Sequence, residues 1–272
     1  MPSLSEALSS FSAVIVTGGS SGIGKSFIEL MGKLNPALQF CNLSRRKPDV
    51  KITDIKLNHF PVDLSRPAEI AGAAAAIEAF LAQVVPAGRV LLINNSGFGA
   101  YGRFPAPDLE HQLEMIDVNI RGLVELTGRL LPLLKARGGV ILNVASTAAF
   151  QPTPFMATYG ASKAFVLHWS LALDAELRGS GVRALAVCPG PTATNFSQRA
   201  GLESGSVSPA LSMTCEEVVM KSLRALAAGR SQVVTGWKNQ VMTFVSAKLP
   251  KPWVARAAAK VLGRYQPKQV RK

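Results

Sequence analysis

Cysteine, histidine and acidic charge are all scarce in this chain. The three cysteines, Cys41, Cys188 and Cys215, are far apart and form no CxxC pair. That argues against a disulfide framework and a thiolate zinc site, and makes a reducing cytosol the simplest compartment. His59, His111 and His168 are dispersed, without metal-ligand spacing. "HQLE" at 111–114 puts a His and a Glu on one helix face but offers no third ligand, so it reads as solvated surface and no metal is expected. Ser21 and Ser146 lie in no GxSxG context, and a hydrolase is not expected. No stretch approaches the ~18 apolar residues needed to span a bilayer. "MPSLSEALSSFSAVIVTGG" lacks a positive leading segment and is not expected to act as a signal peptide.

The shortage of acid is uneven. All 17 acidic residues lie at or before Glu217, and from Lys221 to Lys272 there are 12 basic residues and no acid. Of the net charge of +13, the remainder of the chain contributes only +1. The basicity therefore belongs to the C-terminal segment.

What is plentiful is apolar sequence, 48% of 272 residues, enough for a sizeable core. Runs rich in Val, Ile and Leu at 13–17, 38–43, 89–94, 139–146 and 182–188 read as buried strands, with 59–63 a weaker one. Longer amphipathic stretches near 22–34, 66–84, 107–136 and 157–178 separate them. Continuous apolar strands alternating with helices predict an α/β fold: a Rossmann-like, doubly wound parallel sheet with helices on both faces. No repeat or linker interrupts it, so 1–272 is expected to form a single domain. Segment 189–213 breaks the rhythm with Gly, Pro, Ser and Thr after the last of these strands. It would emerge at the carboxyl edge of the sheet, where such folds bind ligands, and could act as a substrate lid.

After the first strand comes Thr17-Gly18-Gly19-Ser20-Ser21-Gly22-Ile23-Gly24, running into a helix. Gly18, Gly22 and Gly24 have the spacing GxxxGxG. Glycines permit a tight turn and close approach, and a helix start offers free N–H groups to a pyrophosphate. The alternative is a connection that binds nothing. In NAD-binding folds an acid about 20 residues further on takes the ribose hydroxyls. Here that place holds Ser44, Arg45 and Arg46. Guanidinium groups pair with a 2′-phosphate, which favours NADP (NADPH) over NAD; a solvated basic loop continuing into Lys47 is the other reading.

In "YGASK" (159–163), Tyr159 and Lys163 are four residues apart and share a helix face, with only small residues between. A nearby ammonium favours phenolate, so Lys163 is expected to lower the pKa of Tyr159 from its usual value of about 10. Ser146, 13 residues upstream, ends the fifth strand; Asn119 lies in the long fourth helical pattern. Alone, either would be an ordinary capping or core polar group.

Taken together, these residues resemble the short-chain dehydrogenases/reductases in their catalytically complete form. "TGGSSGIG" (17–24) is similar to the family's cofactor turn, "VDL" (62–64, with Asp63 and Leu64) to its adenine contact, and "NNSG" (Asn94, Asn95, Ser96, Gly97) to its NNAG. Asn119, Ser146, Tyr159 and Lys163 resemble the catalytic tetrad. "PGPTATNF" (189–196), with Pro189, Gly190, Thr192 and Thr194, resembles the segment beside the nicotinamide. Each motif alone is common; the ordered set, over 12–235, is specific.

The resemblance implies hydride transfer between NADP(H) and a carbonyl/alcohol pair on an apolar or acyl-like substrate, with Tyr159 as acid/base and Ser146 stabilising charge on the substrate oxygen. It implies that Lys163 also holds the nicotinamide ribose, that Asn119 helps hold a water, and that the chain forms a homodimer or homotetramer. A non-catalytic nucleotide sensor or scaffold on the same fold, or an enzyme of dehydration or epimerisation, are the alternatives. Phe98, Phe104, Phe150, Phe155, Met156 and Phe196 either line an apolar pocket or belong to the core.

Segment 236–272 is a basic extension outside the family pattern. Within 251–268, Arg256, Lys260 and Arg264 recur every four residues; Trp253, Ala257, Val261 and Tyr265 follow one face over, and Val254, Ala258 and Leu262 extend that apolar side. A helix docked on its own domain, one lying on an anionic membrane as a peripheral anchor, and one meeting an acidic carrier protein all fit this pattern. Nucleic acid is not expected, because no binding module accompanies the charge.

Overall fold

The structure is a computed structural model that describes residues 4–52, 54–85, 87–194, 196–202 and 212–265. Among the described residues, seven strands, β1 (Phe11–Thr17), β2 (Gln39–Leu43), β3 (Lys56–Phe60), β4 (Arg89–Asn94), β5 (Gly139–Val144), β6 (Val182–Cys188) and β7 (Gln232–Val234), pair in parallel in the order β3-β2-β1-β4-β5-β6-β7. Parallel neighbours need long crossovers, and the helices supply them. These are α1 (Leu4–Ser9), α2 (Gly22–Leu34), α3 (Pro67–Val84), α4 (Leu109–Ile116), α5 (Gly122–Arg137), α6 (Ala157–Glu176), α7 (Phe196–Arg199), α8 (Cys215–Ala227), α9 (Trp237–Lys248) and α10 (Lys251–Leu262).

Successive strand side chains point to opposite faces. Val14 and Val16 of β1 join Leu91 and Ile93 of β4 in one core, closed by Phe27 and Met31 of α2 and Val219 and Leu223 of α8. Ala13 and Ile15 join Val90 and Leu92 in the other, under Ile70 and Ile77 of α3 and Leu126 and Leu130 of α5. This is the doubly wound sheet expected from the sequence. Strand order reverses between β1 and β4, which opens a crevice at their carboxyl ends.

Several local expectations shift. The strand expected at 59–63 lies at 56–60, in register with β2 from Gln39↔Lys56 to Leu43↔Phe60. Pro61, without an N–H, follows it and cannot extend the ladder. The helical pattern at 107–136 divides into α4 and α5 around a π-helical turn, Asp117–Arg121. By length and composition α3 could cross a bilayer, against the reading of apolar runs, but Ile70, Ala74, Ile77 and Leu81 are buried in the sheet core.

The basic segment forms α9 and α10, and α10 docks on its own domain. Val254 is buried, and the Tyr101 hydroxyl donates to the Leu262 carbonyl. The Lys251 ammonium donates to the Phe150 and Ser246 carbonyls. Residues 266–272 of the expected extension, and 195 and 203–211 of the expected lid, lie outside the described residues.

Candidate active site

A cleft of about 850 Å³ follows the carboxyl ends of the central strands, from the turn after β1 to the end of α10. Gly18 and Gly22 adopt φ of +70° and +57°, a region open to glycine and strained for other residues. The turn is braced from behind. The Gly19 N–H donates to Asn42 Oδ1 (2.9 Å), and the Asn95 side chain donates to the Thr17 carbonyl (2.9 Å). Thr17 Oγ1 accepts from the N–H groups of Asn95 and Ser96 (3.0 and 2.9 Å). Ser21, the residue before α2, makes no side-chain cap bond, and Ser20, Ser21, Gly22 and Ile23 line the cleft. The first N–H groups of α2 thus present a positive helix end to it.

At the β2 end, Ser44, Arg45 and Arg46 line the cleft with Asp63 and Leu64. Asn42 donates to Ser44 Oγ (2.8 Å), which donates to the Arg46 carbonyl (2.7 Å), fixing the loop. Arg45 lies 3.8 Å from Asp63 and 3.7 Å from Glu114. Burial pushes the Asp63 carboxyl up, but hydrogen bonds from Ser65 and the charges of Arg45 and Arg66 outweigh it and hold the group below the usual carboxylate range.

At the other end the cleft reaches Ser146, Tyr159 and Lys163. The Lys163 ammonium donates to the Val144 carbonyl (2.8 Å) and lies 6.0 Å from the centre of the Tyr159 ring. Burial pulls Lys163 down to about 8, with Cys188 acting the other way. Burial pushes the Tyr159 phenol above its ordinary value, and a hydrogen bond with Ser146 offsets part of that rise. This corrects the expectation of a lowered tyrosine: the ammonium is turned to a backbone carbonyl, and desolvation decides the direction.

Asn119 sits in the π-helical turn, buried. Its amide donates to the Phe98 carbonyl (2.9 Å) and Ser162 Oγ (3.0 Å) and accepts from the Phe98 N–H (3.1 Å). Ser162 Oγ in turn donates to the Tyr159 carbonyl (2.7 Å). Asn119 therefore ties the loop after β4 to the first turn of α6. A Cβ at Gly97 would fall 2.9 Å from Asn119 Oδ1 and 3.2 Å from Lys163 Nζ, so a side chain there would push one of them out of place.

The sequence-predicted residues separate into two groups. Gly18, Ser20, Ser21, Gly22, Ile23, Ser44, Arg45, Arg46, Asp63, Leu64, Asn95, Ser96, Gly97, Pro189, Gly190, Thr192 and Thr194 line the cleft with Ser146, Tyr159 and Lys163. Asn94, Gly24 and Asn119 are not among the residues that line it. Asn94 is buried between strands, donating to Thr127 Oγ1 and Asn143 Oδ1 (2.9 and 2.8 Å). Gly24 lets α2 approach the turn, since a Cβ there would meet the Gly18 carbonyl at 2.6 Å.

Of the aromatic cluster, Phe98, Met156 and Phe196 line the cleft, and Phe196 packs 5.1 Å from the Tyr159 ring. Phe150 packs against the core, and Phe104 is exposed. Reading the sequence missed His111 and Glu114, taken for solvated surface, and Leu202 and Leu262. The ring of His111 lies 4.9 Å from Phe98, a contact between segments that no motif links. The ends of the expected lid are clamped where Ala193 donates to the Met213 carbonyl (2.9 Å) and Met213 to that of Pro191 (3.0 Å).

A family profile described as short chain dehydrogenase matches residues 12–204. A very-long-chain 3-oxoacyl-CoA reductase of Anas platyrhynchos is 30% identical over 189 residues, covering 68% of this chain and 61% of that relative. An uncharacterized oxidoreductase of Staphylococcus epidermidis is 28% identical over 210 residues, covering 72% of this chain and 87% of its own length. Among solved structures, a short chain dehydrogenase from Burkholderia cenocepacia in complex with NADP matches with a TM-score of 0.76 at 28% identity, covering 90% of this chain and 97% of that one. The family match spans well over half of the sequence and the site it builds lies at the sheet's switch point: this chain belongs to the short chain dehydrogenase family of oxidoreductases.

Proposed function

We propose that this chain is an NADP(H)-dependent oxidoreductase that interconverts a carbonyl and an alcohol on an apolar, acyl-like substrate. The observation that carries this reading is the meeting of Tyr159, Ser146 and Lys163 at one end of a cleft whose other end is an open helix start. The residues present fit a dinucleotide. Gly18 to Ile23 form a cradle for its pyrophosphate; at Gly22 a Cβ would project to 3.2 Å from Thr194 across it. Ser44, Arg45 and Arg46 suit a 2′-phosphate, and the NADP complex of the Burkholderia relative agrees with that choice.

The bound nicotinamide supplies or takes the hydride. The chain's own residues handle the proton and the charge. Tyr159, kept protonated by burial, is an acid ready to donate its phenol proton to a carbonyl oxygen during reduction. Ser146 holds that oxygen by a hydrogen bond that strengthens as charge develops on it. Lys163, whose Nζ lies 6.0 Å from the Tyr159 ring centre, adds a positive charge to the same buried end of the cleft. In oxidation the same groups act in reverse. Phe98, Met156 and Phe196 exclude water and favour an apolar chain next to the reacting carbon. The acyl character also rests on the 3-oxoacyl-CoA reductase relative.

Following NADPH absorbance over a panel of carbonyl compounds that includes 3-oxoacyl thioesters tests the reading. Tyr159→Phe is expected to lower kcat by at least ~100-fold while NADPH affinity, measured by fluorescence titration, stays within about threefold. Turnover undiminished in that variant would exclude Tyr159 as the acid.

A further inference from the structure

Helix α9 is built inside out. Its inner face is polar: Asn239, Thr243 and Ser246 are buried, and Asn239 packs against Gly190 and donates to the Thr235 carbonyl. Its outer face is apolar, with Trp237 71%, Val241 56% and Phe244 66% exposed. Single exposed apolar residues are ordinary, but a helix that turns its apolar side outward along its whole length marks a contact surface.

Helix α10 follows after only Leu249 and Pro250, and its apolar arc is divided. Val254 and Leu262 turn toward the domain, while Trp253 and Val261 remain 64% and 53% exposed. The charge on this surface has one sign. Lys238 lies 5.8 Å from the Trp237 ring and Lys248 5.9 Å from the Phe244 ring. Arg256 and Lys260 run along α10, Arg264 lies in the turn just after it, and no acid occurs after Glu217.

A two-fold contact between copies would set this surface against itself and oppose cation to cation. Apolar side chains interleaved with lysine and arginine, with tryptophans among them, complement an anionic lipid surface, where the aromatics enter the headgroup boundary and the cations meet phosphate. We propose that the exposed faces of α9 and α10 form a peripheral docking surface for anionic lipid bilayers. Leu262, the last residue of α10, lines the cleft, so a bilayer held there would lie near the end that favours apolar substrates. The docking itself does not depend on the reductase reading, because it is measured without turnover.

The test uses the full chain with vesicles of phosphatidylcholine alone and of phosphatidylcholine with about one quarter phosphatidylglycerol. Co-sedimentation and tryptophan emission are read together. The expected result is binding to the anionic vesicles only, weakened by added salt, with a blue shift from Trp237 and Trp253. Trp237→Ser with Phe244→Ser, and separately Lys248→Glu with Lys260→Glu, are each expected to weaken binding at least tenfold. All four positions are exposed, and thermal melting of the variants checks that the fold persists. No vesicle binding, or equal binding to neutral vesicles, overturns the proposal. So does binding that survives the Trp237 and Phe244 changes with the emission unmoved. If sedimentation velocity shows that the wild-type chain self-associates, that the apolar variant does not, and that neither binds vesicles, a second copy of the chain is the occupant and the proposal fails.

Discussion

Lys163 is held by one backbone carbonyl and by burial, and both shape its charge. Its ammonium is pulled down to about 8, so it is charged below that pH and neutral above it. If reduction runs as proposed, with the lysine charged and the phenol protonated, it should decline as pH rises through about 8, measured as kcat/KM for a carbonyl substrate. Ser146→Ala removes the hydroxyl that bonds Tyr159 and is expected to cost ~100-fold in kcat with NADPH binding intact. Arg45→Ala with Arg46→Ala should weaken NADPH by roughly tenfold to a hundredfold and leave NADH nearly unchanged, the loss of one or two charged hydrogen bonds. A parallel loss for both nucleotides would remove the argument for the 2′-phosphate. These residues stood out in the sequence because their types, order and spacing resemble the family's motifs. The direction of the Tyr159 shift was not, because it depends on where Nζ points and on how little water reaches the phenol.

Between elements, the strongest polar tie lies away from the cleft. Asp174 of α6, buried, accepts from Arg183 Nε and Nη2 of β6 (2.7 and 3.0 Å), from the Ala184 N–H (2.9 Å) and from Ser231 Oγ (2.8 Å). Burial pushes its carboxyl up, but these donors outweigh it and hold the group at about 2. A depressed carboxylate adds stability above its unfolded pKa of about 3.9 and loses it as pH falls toward the folded value. Asp174→Asn should therefore cost about 2 kcal/mol at neutral pH and flatten the loss of stability between about pH 4 and pH 2, checked by urea unfolding across that range. The elements themselves were largely readable, because strands buried on both faces are continuous apolar runs. The π-helical turn was not: helical periodicity passes through 107–136 without a break, yet the wide turn at 117–121 is what brings Asn119 to Phe98 and Ser162. Strand β7, three residues long, is too short to show a period.

Across the whole molecule, the cleft joins segments distant in sequence, and that is where sequence reading stopped. His111, Glu114 and Leu262 carry no motif and reach the site only through the winding of the chain around the sheet. Helix α10 forms part of the cleft wall at Leu262, whose carbonyl accepts from the Tyr101 hydroxyl. Tyr101→Phe should loosen that wall and raise KM for an apolar substrate several-fold, with NADPH affinity unchanged; steady-state kinetics with both ligands varied would show it. The acceptor in this tie is the main chain at the end of α10, among the carbonyls a helix leaves without an internal partner. Position 262 can therefore exchange one side chain for another without untying the helix. The side chain that walls the pocket can change, and the range of substrates it admits with it, while Tyr101, 161 residues away in sequence, keeps its bond to the same backbone carbonyl.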